Sequence, residues 1–220
     1  SLSAKLYNSI FEKQKLPFVY LPFELEASSL KNLLLTMRLT DVESLNVTAP
    51  FKEAVIPYLD QLDSSAKGPR AVNLIVRRGG KFVGINTDGE GWWQALQAQT
   101  GFHAKNKVVV LLGAGATART LAYLLAKKGV RQLILLNRGR LRRENLARAL
   151  KKQFRRLVIQ TGPLTKASYR KYFPLADLLV HATTEPLSLP IALLPKGGVV
   201  SDVLYHPYNT SLIQWTKRRK

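Results

Sequence analysis

The chain has 220 residues, 46% of them hydrophobic, and carries a formal net charge of +20 at pH 7. That length allows one large or two small domains with an ordinary core; no apolar run approaches the ~18 residues of a membrane span, and no stretch has the pattern of a cleavable signal. Without cysteine, disulfides, thiol catalysis and thiolate metal sites are excluded, and the three widely spaced histidines (His103, His181, His206) form no metal-ligand pattern. The lack of cysteine suits a cytoplasmic location.

The charge is uneven. Residues 1–100 hold 11 Lys and Arg against 10 Asp and Glu, while residues 101–220 hold 23 against 4. So sharp a break predicts two domains, 1–100 and 101–220. Part of the positive half suits an anionic dinucleotide, and its excess leaves nucleic acid or another polyanion as a rival partner.

In chain order, residues 6–11 read as helical and 18–21 (FVYL) as a strand. Residues 28–37 form a helix with Leu30, Leu33 and Leu34 turned inward. A short strand over 45–48 ends at Ala49-Pro50, and Pro50 suits the first turn of a helix, where its missing N–H costs nothing. That helix carries Lys52 and stops near Pro57. Residues 71–76 and 81–85 alternate as two strands around the turn Arg78-Gly79-Gly80. Asn86-Thr87-Asp88-Gly89 caps the next helix, whose apolar part is Trp92, Trp93, Ala95 and Leu96.

The chain is organised around residues 107–143. Residues 108–112 are a buried parallel strand, followed by the turn Gly113-Ala114-Gly115-Ala116, a helical pattern (Leu121, Leu124, Leu125) and a second strand at 133–136. Strand, glycine turn, helix and strand within about thirty residues is the setting that makes a dinucleotide fingerprint credible. Gly113 suits the tight turn, Gly115 lets backbone approach a pyrophosphate, and Ala118 stands for the third glycine where helix meets strand. The amides at the helix start then hold phosphate. An NAD site places Asp or Glu after the second strand; here Asn137 and Arg138 follow, then Arg140, Arg142 and Arg143. Guanidinium groups pair with a 2′-phosphate, so NADP is favoured. A basic helix over 142–156 buries Leu146, Ala149 and Leu150, and strands follow at 157–159, 178–180 and 199–203. The fold class is α/β, with a Rossmann-type doubly wound parallel sheet in the C-terminal half.

Ketone reduction needs a hydride donor and a group that protonates the developing alkoxide. Two polar clusters at strand ends, 46–52 and 86–89, offer such groups. Taken singly, Lys52 is a surface lysine and Asp88 a helix cap, and spacing does not bring them together.

Asn46-Val47-Thr48-Ala49-Pro50-Phe51-Lys52 resembles the Asn-Val-Thr-x-Pro-x-Lys motif of shikimate dehydrogenases, and residues 71–76 with 84–93 (GINTDGEGWW) resemble two further segments of that family. The glycine turn, Asn137-Arg138-Gly139 and Asp202-Val203-Leu204-Tyr205 come in family order. The resemblance covers nearly the whole chain. It implies an N-terminal α/β substrate domain and reversible, NADPH-dependent reduction of 3-dehydroshikimate to shikimate in aromatic amino acid biosynthesis. Lys52 would be the acid/base residue and Asp88 its partner. Ser1 and Ser3 match serines on the substrate carboxylate, Thr48 and Asn73 match residues on its hydroxyls, and Tyr205 lies at the same cleft. Gly113, Ala114, Gly115 and Ala116 would cradle the pyrophosphate, Asn137, Arg138 and Arg142 would hold the 2′-phosphate, and Thr183 and Val203 would line the nicotinamide. No metal is implied, and the expected assembly is a monomer or homodimer. An NAD-dependent quinate/shikimate dehydrogenase, or a weakly active relative whose basic half binds a polyanion, are the alternatives. The sequence departs from the family's pattern at Arg70 (Gly), Leu74 (Thr), Gly139 (Thr) and in the loop 181–187. The family's first strand and its final helices are expected to be missing.

Overall fold

A computed structural model of the protein describes residues 2–204 and 210–217, which divide into two units, 1–42 and 43–220. The first unit holds helix α1 (Leu2–Lys13), a 3₁₀ turn at Ala27–Ser29 and α2 (Leu30–Arg38). Along α2 the buried stripe is Leu30, Leu34 and Met37, the i, i+4, i+7 pattern of one helical face. Leu33, expected inward, sits one position off that line and is half-buried.

Residues 18–21 are not a strand. A strand exists only through a neighbour's ladder, and here Tyr20 is tied to a side chain: its N–H donates to Asn8 Oδ1 at 2.6 Å, and its carbonyl accepts from Asn8 Nδ2 at 3.0 Å. Tyr20 also stacks on Tyr7, with ring centroids 5.1 Å apart.

The second unit opens with β1 (Ser44–Asn46), α3 (Phe51–Ala54), a 3₁₀ turn at Ile56–Tyr58, β2 (Gln61–Leu62), α4 (Ser64–Lys67), β3 (Leu74–Arg78), β4 (Lys81–Ile85) and α5 (Asp88–Thr100). Its first sheet has the order β1-β3-β4-β2; β3 is antiparallel to both β1 and β4, and β2 runs parallel to β4. The strand expected from residue 71 starts at Leu74, because the preceding amide of Val72 donates instead to the carbonyl of Lys52, at 2.7 Å. Helix α5 buries Gly89, Trp93 and Leu96, which leaves Ala95 exposed rather than inward.

The rest forms β5 (Val108–Leu112), α6 (Ala116–Lys127), β6 (Gln132–Leu136), α7 (Arg140–Gln153), β7 (Val158–Gly162), α8 (Lys166–Tyr172), β8 (Leu178–His181), β9 (Val199–Asp202) and α9 (Ser211–Lys217). The second sheet is wholly parallel, in the order β7-β6-β5-β8-β9. Every residue of β5 is buried because both faces are covered. Val109 and Leu111 pack with Leu121 and Leu125 of α6 and with Leu146 and Leu150 of α7; Val110 and Leu112 pack on the other face with Tyr169, Tyr172 and Leu212. On α7, Ala147 turns to the core and Ala149 is exposed, the reverse of the expected stripe, since Leu146 and Leu150 centre the buried face one residue away. Strand order turns back between β5 and β8, and in such sheets ligands bind in the crevice at the carboxyl ends of that strand pair.

Candidate active site

The ladder between β3 and β4 joins two distant segments. Leu74 lies opposite Ile85, so Asn73, just before β3, stands beside residues 86–88 at the start of α5. Asn73 Oδ1 accepts from the Thr87 amide at 2.8 Å, and its Nδ2 donates to Asp88 Oδ1 at 2.7 Å and to Thr87 Oγ1 at 2.8 Å. The bond from Val72 to Lys52 draws α3 against the same strand. Ahead of it, Thr48 accepts from the Phe51 amide at 2.9 Å, and the Ala49–Pro50 peptide is cis.

The outcome is an ion pair between residues 36 positions apart: Lys52 Nζ donates to Asp88 Oδ2 at 2.5 Å. The Lys52 side chain is 14% exposed and that of Asp88 29%, so the pair is sheltered yet reachable. A carboxylate in the first turn of a helix also suits the helix dipole. The ammonium remains a donor with two further protons, and it can give one to an oxygen brought against it.

Two residues outside the expected set hold this arrangement. Buried Asn86 donates from Nδ2 to the Ala71 carbonyl at 2.9 Å and to Thr120 Oγ1 at 3.0 Å, fastening the start of α5 to α6. Arg119, on α6, donates to Glu53 Oε2 at 3.1 Å and to the Arg70 carbonyl at 2.8 Å, fastening α6 to the segment that carries Lys52. Arg70 has φ 48, a left-handed conformation in which glycine is at ease, and this gives a physical reason for the family's glycine there.

The crevice between β5 and β8 begins at Gly113. Its φ is +117, and a Cβ there would stand 2.5 Å from the carbonyl oxygen of Ala182, just past β8. Gly115 differs: a Cβ would meet nothing within 4 Å, so the backbone at the start of α6 borders open space that can admit a phosphate. Ala114 and Ala118 are buried, and Ala116 begins α6. Beyond β6, Asn137 Nδ2 donates to the Gly139 carbonyl at 3.1 Å, and Arg143 Nη1 donates to the Asn137 carbonyl at 2.9 Å. Arg138 and Arg142 are exposed. A carboxylate does reach Arg138, but from the far side of the crevice: Glu185 Oε2 accepts from Nη2 at 2.8 Å. Open backbone at Gly115 and exposed guanidinium groups beyond β6 fit a dinucleotide with a 2′-phosphate.

At the other end of the crevice, His181 and Asp202 close the last two strands. His181 Nδ1 lies 2.9 Å from Asp202 Oδ1, and the two side chains are 2% and 1% exposed. His181 Nε2 is 2.6 Å from Thr183 Oγ1. Val203 continues from β9, with its amide on the His181 carbonyl at 3.0 Å. Burial by itself pushes the Asp202 carboxyl up. Hydrogen bonds from His181, Thr210 and the Leu204 amide, with the His181 charge, outweigh it and hold the group below the usual carboxylate range. A native pKa below the unfolded one stabilises the fold above the ordinary value of about 3.9, and that contribution is lost as pH falls through the native pKa. Asp202→Asn is therefore expected to cost about 1–3 kcal/mol near neutrality by leaving buried donors unmatched. Thermal unfolding should show the gap between variant and parent closing as pH is lowered toward 3.

Of the expected site residues, Lys52, Asp88 and Asn73 share one hydrogen-bonded group, and Thr48 is exposed on the turn before α3. Ser3 lies in α1, within the first unit. Ser1 and Tyr205 lie outside the described residues. Asn86, Arg119, Arg143, His181, Asp202 and Glu185 were not in the expected set. Several lie in segments the sequence already singles out: Asn86 in the cap, Arg143 among the arginines after the second strand, Asp202 in a family segment, and His181 and Glu185 in the loop 181–187. Their partnerships do not show locally, because they join residues 6 to 66 positions apart.

A parallel sheet with a glycine turn at its switch point defines an α/β protein of the dinucleotide-binding class, and the same unit carries a sheltered lysine–carboxylate pair. The sequence profile of the shikimate dehydrogenase substrate binding domain matches residues 1–75, and that of shikimate/quinate 5-dehydrogenase matches residues 95–189. The chain is 33% identical to shikimate dehydrogenase (NADP(+)) of Alkaliphilus oremlandii, over all of this chain and 79% of that protein. Shikimate 5-dehydrogenase from Listeria monocytogenes, solved with shikimate and NAD, superposes with a TM-score of 0.89 at 29% identity, covering 99% of this chain and 79% of that one. The Thermus thermophilus enzyme, solved with NADP(H) and shikimate, gives 0.84 at 29% identity, over 100% and 80% of the two chains. The chain belongs to the shikimate dehydrogenase family.

Proposed function

We propose that this chain catalyses the reversible, NADPH-dependent reduction of 3-dehydroshikimate to shikimate, within aromatic amino acid biosynthesis in the cytoplasm. It is an oxidoreductase acting on a CH–OH group, with NADP as its cofactor, like its curated relatives. The observation that supports the reaction best is the joined group of Lys52, Asp88 and Asn73.

When bound, the nicotinamide would supply the hydride for the carbonyl carbon. Lys52 gives a proton from Nζ to the developing alkoxide, completing the hydroxyl; in the oxidative direction neutral Lys52 takes the hydroxyl proton back. Asp88 orients the ammonium, and Asn73 holds the other carboxylate oxygen so that this orientation persists. Ser1, Ser3, Thr48 and Tyr205 complete the substrate set in this reading, with residues 1–100 as substrate domain and 101–220 as cofactor domain, in a monomer or homodimer. Gly113, Ala114, Gly115 and Ala116 take the pyrophosphate, Asn137, Arg138 and Arg142 the 2′-phosphate, and Thr183 and Val203 the nicotinamide side.

The test is absorbance at the NADPH band with shikimate and NADP⁺, against NAD⁺ and quinate controls. Growth confined to shikimate with NADP⁺ supports the reading; growth with quinate and NAD⁺ alone, or with no pair, rejects it. Arg138→Ala is expected to weaken NADP⁺ binding about tenfold, the scale of one charge-assisted hydrogen bond, and to leave NAD⁺ within about twofold. Equal losses in calorimetric titration would remove Arg138 from the phosphate site.

A further inference from the structure

The loop after β8 is tied at both ends. Thr183 Oγ1 sits 2.6 Å from Nε2 of buried His181 and donates to the Glu185 carbonyl at 2.8 Å. The Glu185 side chain then leaves the loop for the Arg138 guanidinium, at 2.8 Å. Arg138 follows β6 and Glu185 follows β8, and these strands flank β5. The ion pair therefore bridges the carboxyl end of β5, where the glycine turn stands, across two strand spacings of about 4.8 Å each. Asp202, His181, Thr183, Glu185 and Arg138 make one connected series from the nicotinamide end of the crevice to its adenosine end.

We propose that Glu185 is a specificity-determining residue of the cofactor site: its carboxylate occupies the guanidinium that an adenosine 2′-phosphate requires, so NADP binds by displacing it and NAD does not. The inference rests on the reading of Arg138 as a 2′-phosphate residue. Carboxylate and phosphate compete for the same donor fork, and two anions do not share one guanidinium without repulsion. A dinucleotide without the 2′-phosphate makes no demand on Arg138, and the pair stays closed. Glu185 thus narrows the preference for NADP over NAD that the arginines beyond β6 create. The effect is bounded by exposure: the two side chains are 65% and 61% exposed, and pairs of this kind shift equilibria about two- to fivefold. The buried His181–Asp202 pair holds the loop in register, so Glu185 returns to Arg138 when the phosphate leaves.

The experiment is isothermal titration calorimetry of the full chain with NADP⁺ and, separately, NAD⁺, without substrate, at low and moderate salt. Glu185→Gln, Arg138→Ala and the double variant complete a cycle. Glu185→Gln is expected to tighten NADP⁺ about two- to fivefold at low salt, less at moderate salt, with NAD⁺ unchanged, and the gain should vanish when Arg138 is already alanine. Equal tightening of both dinucleotides would overturn the proposal, because that is a general effect of removing negative charge. A gain that survives without Arg138, or no gain, overturns it too. Loss of NADP⁺ affinity in Arg138→Ala with no effect of Glu185→Gln would reject Glu185 alone. Indifference of NADP⁺ to Arg138→Ala would reject the underlying phosphate assignment as well.

Discussion

Lys52→Ala is expected to lower kcat for shikimate oxidation by about 10²- to 10⁴-fold, the range lost with a general acid/base group, while NADP⁺ affinity stays within about twofold. The separation follows from geometry. Lys52 stands on α3 and pairs with Asp88 at the start of α5, whereas the glycine turn opens α6. Removal of the ammonium leaves the Asp88 carboxylate bonded to Asn73 and partly exposed, so the fold loses little. Steady-state kinetics with parallel calorimetry would check both halves of this expectation. A variant with unchanged kcat would exclude Lys52 from proton transfer. Loss of NADP⁺ binding in step with kcat would mean that the residue acts through the fold instead.

Gly113→Ala carries the largest expected cost to the fold. Its Cβ would lie 2.5 Å from the Ala182 carbonyl oxygen, a backbone atom that cannot rotate away, and its φ of +117 suits no side chain. Strands β5 and β8 would have to part at the centre of the parallel sheet. Overpacking together with backbone strain is expected to cost about 2–5 kcal/mol, which lowers Tm by roughly 5–15 °C in a chain of this size. Gly115→Ala is the control. The added methyl group meets no protein atom within 4 Å, so Tm should hardly move while cofactor affinity falls, because the methyl group takes the space open to the pyrophosphate. Comparable Tm losses in the two variants would contradict the distinction between a packing glycine and a binding glycine.

The excess of positive charge belongs mainly to solvated faces and loops. On α7, Arg140, Arg142, Arg148, Lys151 and Lys152 are exposed while Leu146 and Leu150 are buried, as an amphipathic helix requires. Arg143 and Lys151 are the exceptions in use: each reaches back to a backbone carbonyl, that of Asn137 at 2.9 Å and that of Leu157 at 3.1 Å. They steady the end of β6 and the start of β7, and so the Arg138 segment.

Local signals determined much of this protein. The apolar run 108–112, the turn at Gly113 and the helical period of α6 depend on neighbours a few residues away, and each stands within a residue or two of its expected place. The motifs around Lys52 and Asp88 were equally legible as types of residue in a known spacing. Their meeting followed only from the family resemblance and not from spacing, because 36 residues separate them and the β3–β4 ladder, with the tether from Val72 to Lys52, closes the distance. The same limit explains the failure at residues 18–21, whose β-forming side chains suit a strand but find no ladder partner among the described residues. It also explains why the pairings of His181 with Asp202 and of Glu185 with Arg138 were not legible, although their segments were noted: the partners come from the ends of different strands. Period and propensity are properties of a segment. An ion pair, a ladder or a crevice at a switch point is a property of the assembled sheet, and only the tertiary structure decides it.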